Sequence, residues 1–351
     1  MERSLKDYRR IVIKIGASLL TSKEGLDCVI SQIAGFIRDK RQVILVSSGA
    51  IAFGMKTLGL KTRPSRLDQL QAAASLGQNE LMRFYADKFE PYDIKTAQIL
   101  LTWEDFNDRT RYLNSKHTIE ALLGWSALPI INENDTVSVE EIRFGDNDRL
   151  SALVANLVGA DILIILSDVE GLLDRNGQVV RMVEQITPSI ERLASPTDKE
   201  FCVGGMKTKI SAAKIAVESS IPCIIVDGKK STGLTLALSR PFEAGTIFLP
   251  KERSLSAAKR WVVFCAKPKG QIWVDDGAKK ALLNNKSLLS VGLIRYEGKF
   301  NHGDIVDISD SKDEVFGRGK VNFSSQDLDK VKGLQKMKEV IHKDDLVILR
   351  T

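Results

Sequence analysis

Three lysines stand in sequence contexts that suggest contact with an anion. Lys14 lies inside the apolar run "IVIKIGAS" at 11–18, where a buried ammonium group is unfavourable unless an anion is close. The alternative is a lysine that extends along the sheet edge to reach water. Lys207 and Lys209 follow two glycines in "GGMKTK" at 204–209, and cations at the start of a helix oppose its dipole. These contexts favour a polyanionic ligand.

A phosphate is one such ligand, and the sequence restricts how it could bind. The P-loop pattern G-x-x-x-x-G-K-[ST] does not occur in the chain. The stretch "SSGAIAFG" at 47–54 ends an apolar run and enters a helical pattern, where free backbone N–H groups suit a phosphate or a carboxylate. Ser-Gly is also a common turn. Any phosphate site in this chain is therefore of another kind than the P-loop.

The stretch "FGDNDRLSA" at 144–152 is rich in carboxylates and could be read as a metal loop. A calcium-binding EF-hand loop beginning at Asp146 would need Asp or Asn at position 150 and Gly at position 151. Leu150 and Ser151 occupy these positions, so an EF-hand is excluded.

The same stretch is compatible with the start of a helix. Asn147 or Asp148 would serve as the N-cap of a helix that runs from about Leu150, because Asp and Asn are preferred caps. A cap needs only one such residue, and "NEND" at 132–135 adds further carboxylates and amides. We expect these groups to position lysines, a metal or the substrate.

These residues need a scaffold, and the apolar pattern predicts one. Helical periods such as Leu150, Leu153, Val154 and Leu157 alternate with nearly continuous apolar runs that are typical of buried strands. The runs lie at 11–18, 42–50, 127–135, 161–171 and 221–228, and a longer amphipathic helix is expected between Leu67 and Tyr85. The expected fold is a mainly parallel sheet sandwiched by helices, with ligands beyond the carboxyl ends of the strands.

The sequence pattern changes after residue 250, from long apolar runs and helical periods to a charged segment followed by short apolar segments. Residues 1–250 would form the α/β domain, 251–265 a charged linker, and 266–351 a small, mostly β domain with closely spaced turns. Residues 251–351 hold 20 Lys and Arg against 14 Asp and Glu, which leaves 31 against 31 for the rest. The whole positive excess is C-terminal, as expected for either a lysine-rich solvated surface or a nucleic-acid-binding module.

Composition also bears on the cellular setting. Four cysteines lie far apart and only three histidines occur, so neither a disulfide framework nor a zinc site is indicated. The charged N-terminal stretch at 1–10 is unlike a signal peptide, and no apolar run approaches the roughly 20 residues of a membrane span. A cytoplasmic location is expected.

Taken in order, the motifs resemble those of the glutamate 5-kinase family of the amino acid kinase superfamily. The matching stretches are "KIGAS" (14–18), "SSGAIA" (47–52), "NEND" (132–135), "GDNDRLSA" (145–152), "SDVEG" (167–171) and "GGMKTK" (204–209). The C-terminal segment from "GQIWVDDGA" onward resembles a PUA domain. The resemblance covers nearly the whole chain.

The resemblance implies an activity. Members of this family use ATP and Mg²⁺ to phosphorylate the γ-carboxylate of L-glutamate, the first step of proline biosynthesis. It also implies a homodimer or homotetramer, feedback inhibition by proline, and functional coupling to glutamyl phosphate reductase. Mg²⁺ would be carried mainly by the ATP phosphates, and no protein ligand to the metal is assigned.

The resemblance also implies roles for single residues. Lys14 and Lys209 would stabilise charge on the transferring phosphoryl group, and Asp148 would orient the two lysines. Ser48, Asp135 and Asn147 would bind glutamate. The nucleotide would contact Lys14, Ser167, Asp168, Val203, Gly204, Gly205, Met206, Lys207, Thr208 and Lys209. Lys207 stands at a variable position of the family motif, a distinction that spacing alone does not make.

One stretch departs from the family pattern. The chain reads Cys202-Val203-Gly204-Gly205 where the family usually has Gly-Thr-Gly-Gly. The loss of a glycine and a hydroxyl group would weaken or reshape contacts with the nucleotide, which bears most directly on Val203.

Two alternatives remain to be weighed. Aspartate, carbamate and uridylate kinases would share the fold and the lysines, but the combination of "NEND", "GDNDRLSA" and the C-terminal domain favours glutamate. An RNA-binding or RNA-modifying protein is the second alternative, because PUA domains commonly serve RNA enzymes. The C-terminal domain has no obvious basic patch interleaved with aromatic residues, so RNA binding is expected at most as a side activity.

Overall fold

The computed structural model of the protein describes residues 8–20, 23–138, 147–194, 205–250, 256–331 and 338–349. The chain divides into two compact units. The first comprises Met1–Asp105 and Thr110–Ser254, and the second comprises Phe106–Arg109 and Leu255–Thr351. The sequence-based domain boundaries, including the linker at 251–265, stay a prediction.

The first unit is built around one eight-stranded sheet. Its strands are β1 (Arg10–Ile15), β2 (Gln42–Ser47), β3 (Thr96–Leu101), β4 (Leu128–Glu133), β5 (Ile162–Ser167), β6 (Met182–Val183), β7 (Cys223–Asp227) and β8 (Gly245–Phe248). Their order across the sheet is β3-β4-β2-β1-β5-β7-β8-β6. Over the described ranges, only the β7–β8 pair is antiparallel. The predicted fold class is thus confirmed for this unit.

Helices connect the strands. They are α1 (Ala17–Leu20), α2 (Lys23–Arg38), α3 (Ala50–Thr57), α4 (Leu67–Phe89), α5 (Trp103–Asn107), α6 (Arg109–Gly124), α7 (Asn147–Val158), α8 (Pro188–Leu193), α9 (Met206–Glu218), α10 (Gly233–Ser239) and α11 (Pro241–Ala244), with a 3₁₀ turn at Glu90–Tyr92. Within the part of the chain that the structure describes, no helix is long and apolar enough to cross a membrane.

The central strand β1 is covered on both faces. Ile11, Ile13 and Ile15 are fully buried in one cluster together with side chains of α2 and α4. Side chains alternate along a strand, so Val12 and Lys14 face the other way, toward α7, which packs on β1. Every residue of α7 except Arg149 is buried, so this helix packs within the protein on nearly all of its sides.

The strand order places a topological switch at β1. This strand pairs with β2 on one side and with β5 on the other. The chain fills the β2 side of the sheet first and then crosses to β5. In open parallel sheets, ligands bind beyond the carboxyl ends of the strands at such a point. This end of the sheet is where Lys14, Ser47 and Ser167 lie.

The five predicted strands are confirmed as β1, β2, β4, β5 and β7, and the helix expected from Leu67 to Tyr85 is confirmed as α4. The edge strand β3 was not predicted. Its sequence "TAQILL" is only partly buried and lacks a clear alternation, so the apolar pattern that identified the central strands is weak there.

Helices α3 and α4 pack through two glycines. A Cβ atom on Gly54 would lie 1.7 Å from the carbonyl oxygen of Ala73, and a Cβ atom on Gly77 would lie 1.8 Å from that of Ala50. Both distances are far below van der Waals contact, so the two helix backbones can meet only where side chains are absent. This contact fixes α4 beside the carboxyl end of the sheet.

The second unit is a small β domain, as the sequence predicts, and most of its strand pairs are antiparallel. Its strands are β9 (Gly270–Val274), β10 (Leu288–Leu289), β11 (Leu293–Gly298), β12 (Ile305–Ser309), β13 (Val315–Lys320), β14 (Glu339–Ile341) and β15 (Leu346–Ile348). One sheet has the order β11-β9-β12-β13-β15, with β9 and β12 parallel, and β10 pairs with β14. Helices α13 (Asp276–Leu283) and α14 (Ser325–Val331) and 3₁₀ turns at Ser290–Gly292 and Lys343–Asp345 complete this part.

Part of the segment expected to be a linker is helical. Helix α12 (Ala257–Phe264) begins after Ser256, whose hydroxyl oxygen accepts a hydrogen bond from the backbone N–H of Lys259 at 3.3 Å. Val262 of this helix is buried against Ile305 and Val347 of the β domain. The helix therefore contributes to the core of the second unit.

The α3–α4 contact generates a stability prediction. We expect Gly77→Ala to lower the free energy of unfolding by about 2 kcal/mol or more, because the added methyl group must push the two backbones apart. Gly35→Ala is the matched control, since a Cβ atom at this helical glycine of α2 meets nothing within 4 Å. That change should stabilise by up to about 1 kcal/mol through helix propensity. Thermal unfolding followed by circular dichroism compares the two, and equal shifts would contradict the packing account.

Candidate active site

Three charged side chains meet at the carboxyl end of the sheet. Lys14 comes from β1, Asp148 from the first turn of α7, and Lys209 from the first turns of α9. The Nζ atom of Lys14 lies 2.6 Å from Oδ1 of Asp148, and that of Lys209 lies 3.3 Å from Oδ2. One carboxylate is therefore shared by two ammonium groups.

The three charged side chains are buried, so their electrostatic interactions are only weakly screened by water. Lys14 and Lys209 are each 7% exposed and Asp148 is 1% exposed. Burial alone would raise the pKa of Asp148, but the charges of Lys14 and Lys209 outweigh it and hold that pKa below its ordinary value. The cluster carries one net positive charge, from two ammonium groups and one carboxylate. It is suited to attract an anion at a place shielded from water.

The structure distinguishes the two lysines of "GGMKTK". Lys209 is buried and paired with Asp148, whereas Lys207 is exposed. Between them, the hydroxyl group of Thr208 donates a hydrogen bond to Oδ2 of Asp148 at 2.7 Å. Sequence reasoning placed Thr208 only at the nucleotide and missed this contact with the carboxylate. A threonine one residue before the paired lysine was the available signal.

Asn147 and Asp148 lie inside α7 rather than before it. The helix begins at Asn147, so the expectation that one of these two residues is the N-cap is wrong. The residues that precede Asn147 lie outside the described residues. In the first turn of α7, the negative charge of Asp148 is also favoured by the helix dipole.

A chain of amide side chains runs from this centre across the strand ends. Asn147 donates from Nδ2 to the backbone carbonyl of Ser47 at 2.6 Å and to Oδ1 of Asn132 at 2.8 Å. Asn132 in turn donates to Oε1 of Gln78 at 2.8 Å, and Gln78 donates to Oε1 of Gln98 at 2.9 Å. These contacts connect β2, α7, β4, α4 and β3 in one polar network.

A cavity of about 250 Å³ lies beside this network. Its walls include Gln78, Gln98, Glu133 and Asp135. Burial raises the pKa of Asp135 to about 6, although the guanidinium of Arg63 opposes the shift. A cavity with two carboxyl groups and several amides can hold a small ligand that carries both a cation and hydrogen-bonding oxygens.

Glu133 is the most unusual group beside the cavity, and sequence reasoning assigned it no role. It is 2% exposed, and neither of its carboxyl oxygens has a hydrogen-bond partner among the described residues. Burial raises its pKa to about 7, and the charge of Asp135 reinforces the shift; the nearby hydroxyl group of Ser138 offsets it in part, although it forms no hydrogen bond of ordinary geometry with the carboxyl group. The carboxyl group therefore takes up and releases its proton near neutral pH.

The other predicted site residues have different positions. Ser48 is half-buried directly after β2, and its N–H donates to the carbonyl of Ile15 at 3.2 Å. Ser167 ends β5 and is buried, and its hydroxyl lies 3.3 Å from Oδ1 of the exposed Asp168. Gly205 precedes α9 and Met206 begins it. Cys202, Val203 and Gly204 lie outside the described residues, so the effect of their departure from the family pattern stays a prediction.

The buried Glu133 generates a prediction about stability and pH. Its pKa is raised from 4.5 to about 7 in the folded protein, so the folded state binds the proton more tightly than the unfolded state. The free energy of unfolding should therefore fall as the pH rises through this interval. We expect Glu133→Gln to remove that loss and to stabilise the protein at pH 8 by about 1–3 kcal/mol, with no gain below about pH 4.5.

Thermal unfolding at several pH values measures this effect. Glu90→Gln, at an exposed position on the same unit, is the control and should leave the pH dependence unchanged. The account of Glu133 is contradicted if its replacement shifts stability equally at every pH.

Comparison with known proteins identifies the family of the chain. Residues 9–227 match the model of the amino acid kinase family, and residues 270–343 match that of the PUA domain. The chain is 43% identical to glutamate 5-kinase of Pelobacter propionicus, over 99% of this chain and 100% of that protein. It is 42% identical to glutamate 5-kinase of Moorella thermoacetica, over 99% of this chain and 98% of that protein.

A solved structure supports the fold. N-acetylglutamate synthase from Neisseria gonorrhoeae, in complex with coenzyme A and N-acetyl-glutamate, superposes with a TM-score of 0.53 over 71% of this chain and 62% of that chain. At 14% identity, the likeness concerns the fold alone. The family match and the full-length relatives carry the assignment further: the chain belongs to the amino acid kinase family and, with its C-terminal PUA domain, to the glutamate 5-kinases.

Proposed function

We propose that the chain transfers the γ-phosphoryl group of ATP to the γ-carboxylate of L-glutamate, which gives γ-glutamyl phosphate and ADP. This reaction is the first step of proline biosynthesis. The observation that carries the proposal is the buried cluster in which Asp148 holds Lys14 and Lys209 at the carboxyl end of the sheet. The full-length similarity to glutamate 5-kinases supports the choice of substrate.

The chemistry needs charge neutralisation more than proton transfer. A glutamate side chain has a reference pKa of about 4.3, so the attacking carboxylate is already ionised at neutral pH. The main obstacle is repulsion between this carboxylate and the anionic triphosphate. Phosphoryl transfer is promoted mainly by positioning and by electrostatic stabilisation of the transferring group. A site with two fixed ammonium groups supplies both.

In this proposal Lys14 and Lys209 contact the transferring phosphoryl group from two sides. Asp148 keeps both ammonium groups in place and prevents them from separating through mutual repulsion. Because the cluster is buried, the lysines are fixed before the substrates arrive, and little reorganisation is needed during the reaction. Thr208 supports the same carboxylate through its hydroxyl group.

The two substrates would approach this cluster from different sides. Ser48, Asp135 and Asn147 bind glutamate on the side of β2 and β4. Ser167, Asp168 and the segment 203–209 contact the nucleotide on the side of β5 and α9. Mg²⁺ enters with ATP as its phosphate complex and is part of the substrate.

The product is an acyl phosphate, which is labile in water. Because the product hydrolyses readily, we expect functional coupling to a reductase that uses glutamyl phosphate at once.

We further propose a cytoplasmic homo-oligomer, a dimer or a tetramer, as the working form. RNA binding by the PUA domain would be a side activity, and salt-dependent retention of RNA by the whole protein would reveal it.

A hydroxylamine trap tests the proposed reaction. The purified protein with ATP, Mg²⁺ and L-glutamate should form γ-glutamyl hydroxamate, because hydroxylamine captures the acyl phosphate. Aspartate and UMP serve as alternative acceptors in parallel assays, with ADP release as the readout. Turnover of aspartate or UMP without any glutamate-dependent hydroxamate would overturn the assignment.

The two lysines of α9 allow a matched test of the site. Lys209→Ala should lower kcat by about 100-fold or more, because a charge that stabilises the transition state is lost. The KM for glutamate should change much less. Lys207→Ala removes the same charge from an exposed position in the same turn; at saturating ATP it should retain at least about half of kcat, with its effect confined to the KM for ATP.

Steady-state kinetics of the two variants gives the answer. Equal losses of kcat in both would show that the contribution comes from the overall charge of this helix end. A rise in the KM for glutamate without a change in kcat would remove Lys209 from phosphoryl transfer.

A further inference from the structure

The amide chain beside the active site has a fixed direction. An asparagine or glutamine side chain can usually be turned so that its oxygen and nitrogen exchange places, and only its neighbours decide between the two orientations. Two of the groups that contact this row of amide side chains are backbone groups, and a backbone N–H can only donate while a backbone carbonyl can only accept. The direction of every hydrogen bond between them follows from these two groups.

The first backbone group is the carbonyl of Ser47, which can only accept. Asn147 must therefore present its Nδ2 to it, at 2.6 Å. The second is the N–H of Glu133, which can only donate and lies 2.9 Å from Oδ1 of Asn132. If the side chain of Asn132 were reversed, its NH₂ group would take the place of Oδ1. That donor would then face two other donors, the N–H of Glu133 and Nδ2 of Asn147, and no acceptor.

With these two orientations fixed, Nδ2 of Asn132 still needs an acceptor, and Gln78 provides it. Because Oδ1 of Asn132 already accepts two hydrogen bonds, its Nδ2 must find an acceptor elsewhere. Asn132 is 2% exposed, so water is a poor substitute. Oε1 of Gln78 accepts this hydrogen bond at 2.8 Å. Gln78 thus satisfies the remaining donor of Asn132 and stabilises the orientation that receives Asn147.

The consequence appears at Asn147. Both hydrogens of its Nδ2 are used, and its Oδ1 is buried without a hydrogen-bond partner in the described part of the chain. A buried acceptor without a partner is unfavourable until a donor arrives. On glutamate, the only hydrogen-bond donor at neutral pH is the α-ammonium group.

We propose that Gln78 is a positioning residue for the amino-acid substrate: by accepting from Asn132 it stabilises the orientation of the Asn132 and Asn147 amides that the two backbone groups define, and Oδ1 of Asn147 is left to accept a hydrogen bond from the substrate ammonium. The inference rests on the proposed function. Gln78 itself stays on the wall of the cavity, where it also donates to Gln98. Its backbone is held by the close contact of the neighbouring Gly77 with α3.

The test compares two replacements of Gln78 in the full-length protein. Gln78→Met keeps the length of the side chain, but its sulfur is only a weak hydrogen-bond acceptor, so the KM for glutamate should rise about tenfold. The values of kcat and of the KM for ATP should stay within about twofold of the wild type. Gln78→Glu keeps an acceptor for Asn132, so the KM for glutamate should return to within about threefold of the wild type.

The matched control is Gln71→Met, two helical turns earlier on α4 and similarly half-buried. It should leave kcat and the KM values for glutamate and for ATP unchanged.

The inference is overturned if the KM for glutamate of Gln78→Met equals that of the wild type. It is also overturned if kcat and ATP binding fall in parallel with glutamate binding, which would indicate general damage to the site. Failure of Gln78→Glu to restore the KM also overturns it. If the wild type forms no glutamyl hydroxamate, the proposed function itself fails, and that result is separate from these.

Discussion

The candidate active site depends on one shared carboxylate, that of Asp148. Two ammonium groups brought together in a buried site repel each other, and each alone would be unfavourable to bury. Asp148 contacts both, so the repulsion is offset while one net positive charge remains, which suits the site to an anion. Three elements that are distant in sequence, β1, α7 and α9, must therefore converge on one point. The architecture of the sheet satisfies this requirement.

The sheet does so through its strand order. With β1 in the middle, flanked by β2 and β5, polar groups at the ends of several strands meet at one edge. Helix α7 packs on the face of β1 that carries Lys14 and brings Asp148 to it from the helix end. The close contact of α3 and α4 at Gly54 and Gly77 holds α4 in place, and from this helix Gln78 reaches Asn132. It thereby positions the amide side chains beside the charged cluster. Charges and amides thus occupy neighbouring parts of the same edge.

Much of this could be predicted from the sequence, and the exceptions have physical causes. Central strands such as "IVIKI" and "ILIIL" are identified by unbroken apolar runs, because both of their faces are buried. The edge strand β3 has no such pattern. The preference for Lys209 over Lys207 came from family resemblance, and the ion pair with Asp148 now gives it a structural reason. The amide chain joins residues 54 and 100 positions apart, and no local pattern encodes such contacts.

The central claim is that Asp148 makes the site competent by holding both lysines. The most direct measurement is kcat of Asp148→Asn, a replacement that keeps the shape of the side chain and removes its charge. Without that charge, the two buried ammonium groups repel each other and are no longer held against a common partner. The account predicts a fall in kcat of at least about 100-fold, even at saturating glutamate and ATP. A variant that folds and turns over at the wild-type rate would contradict it.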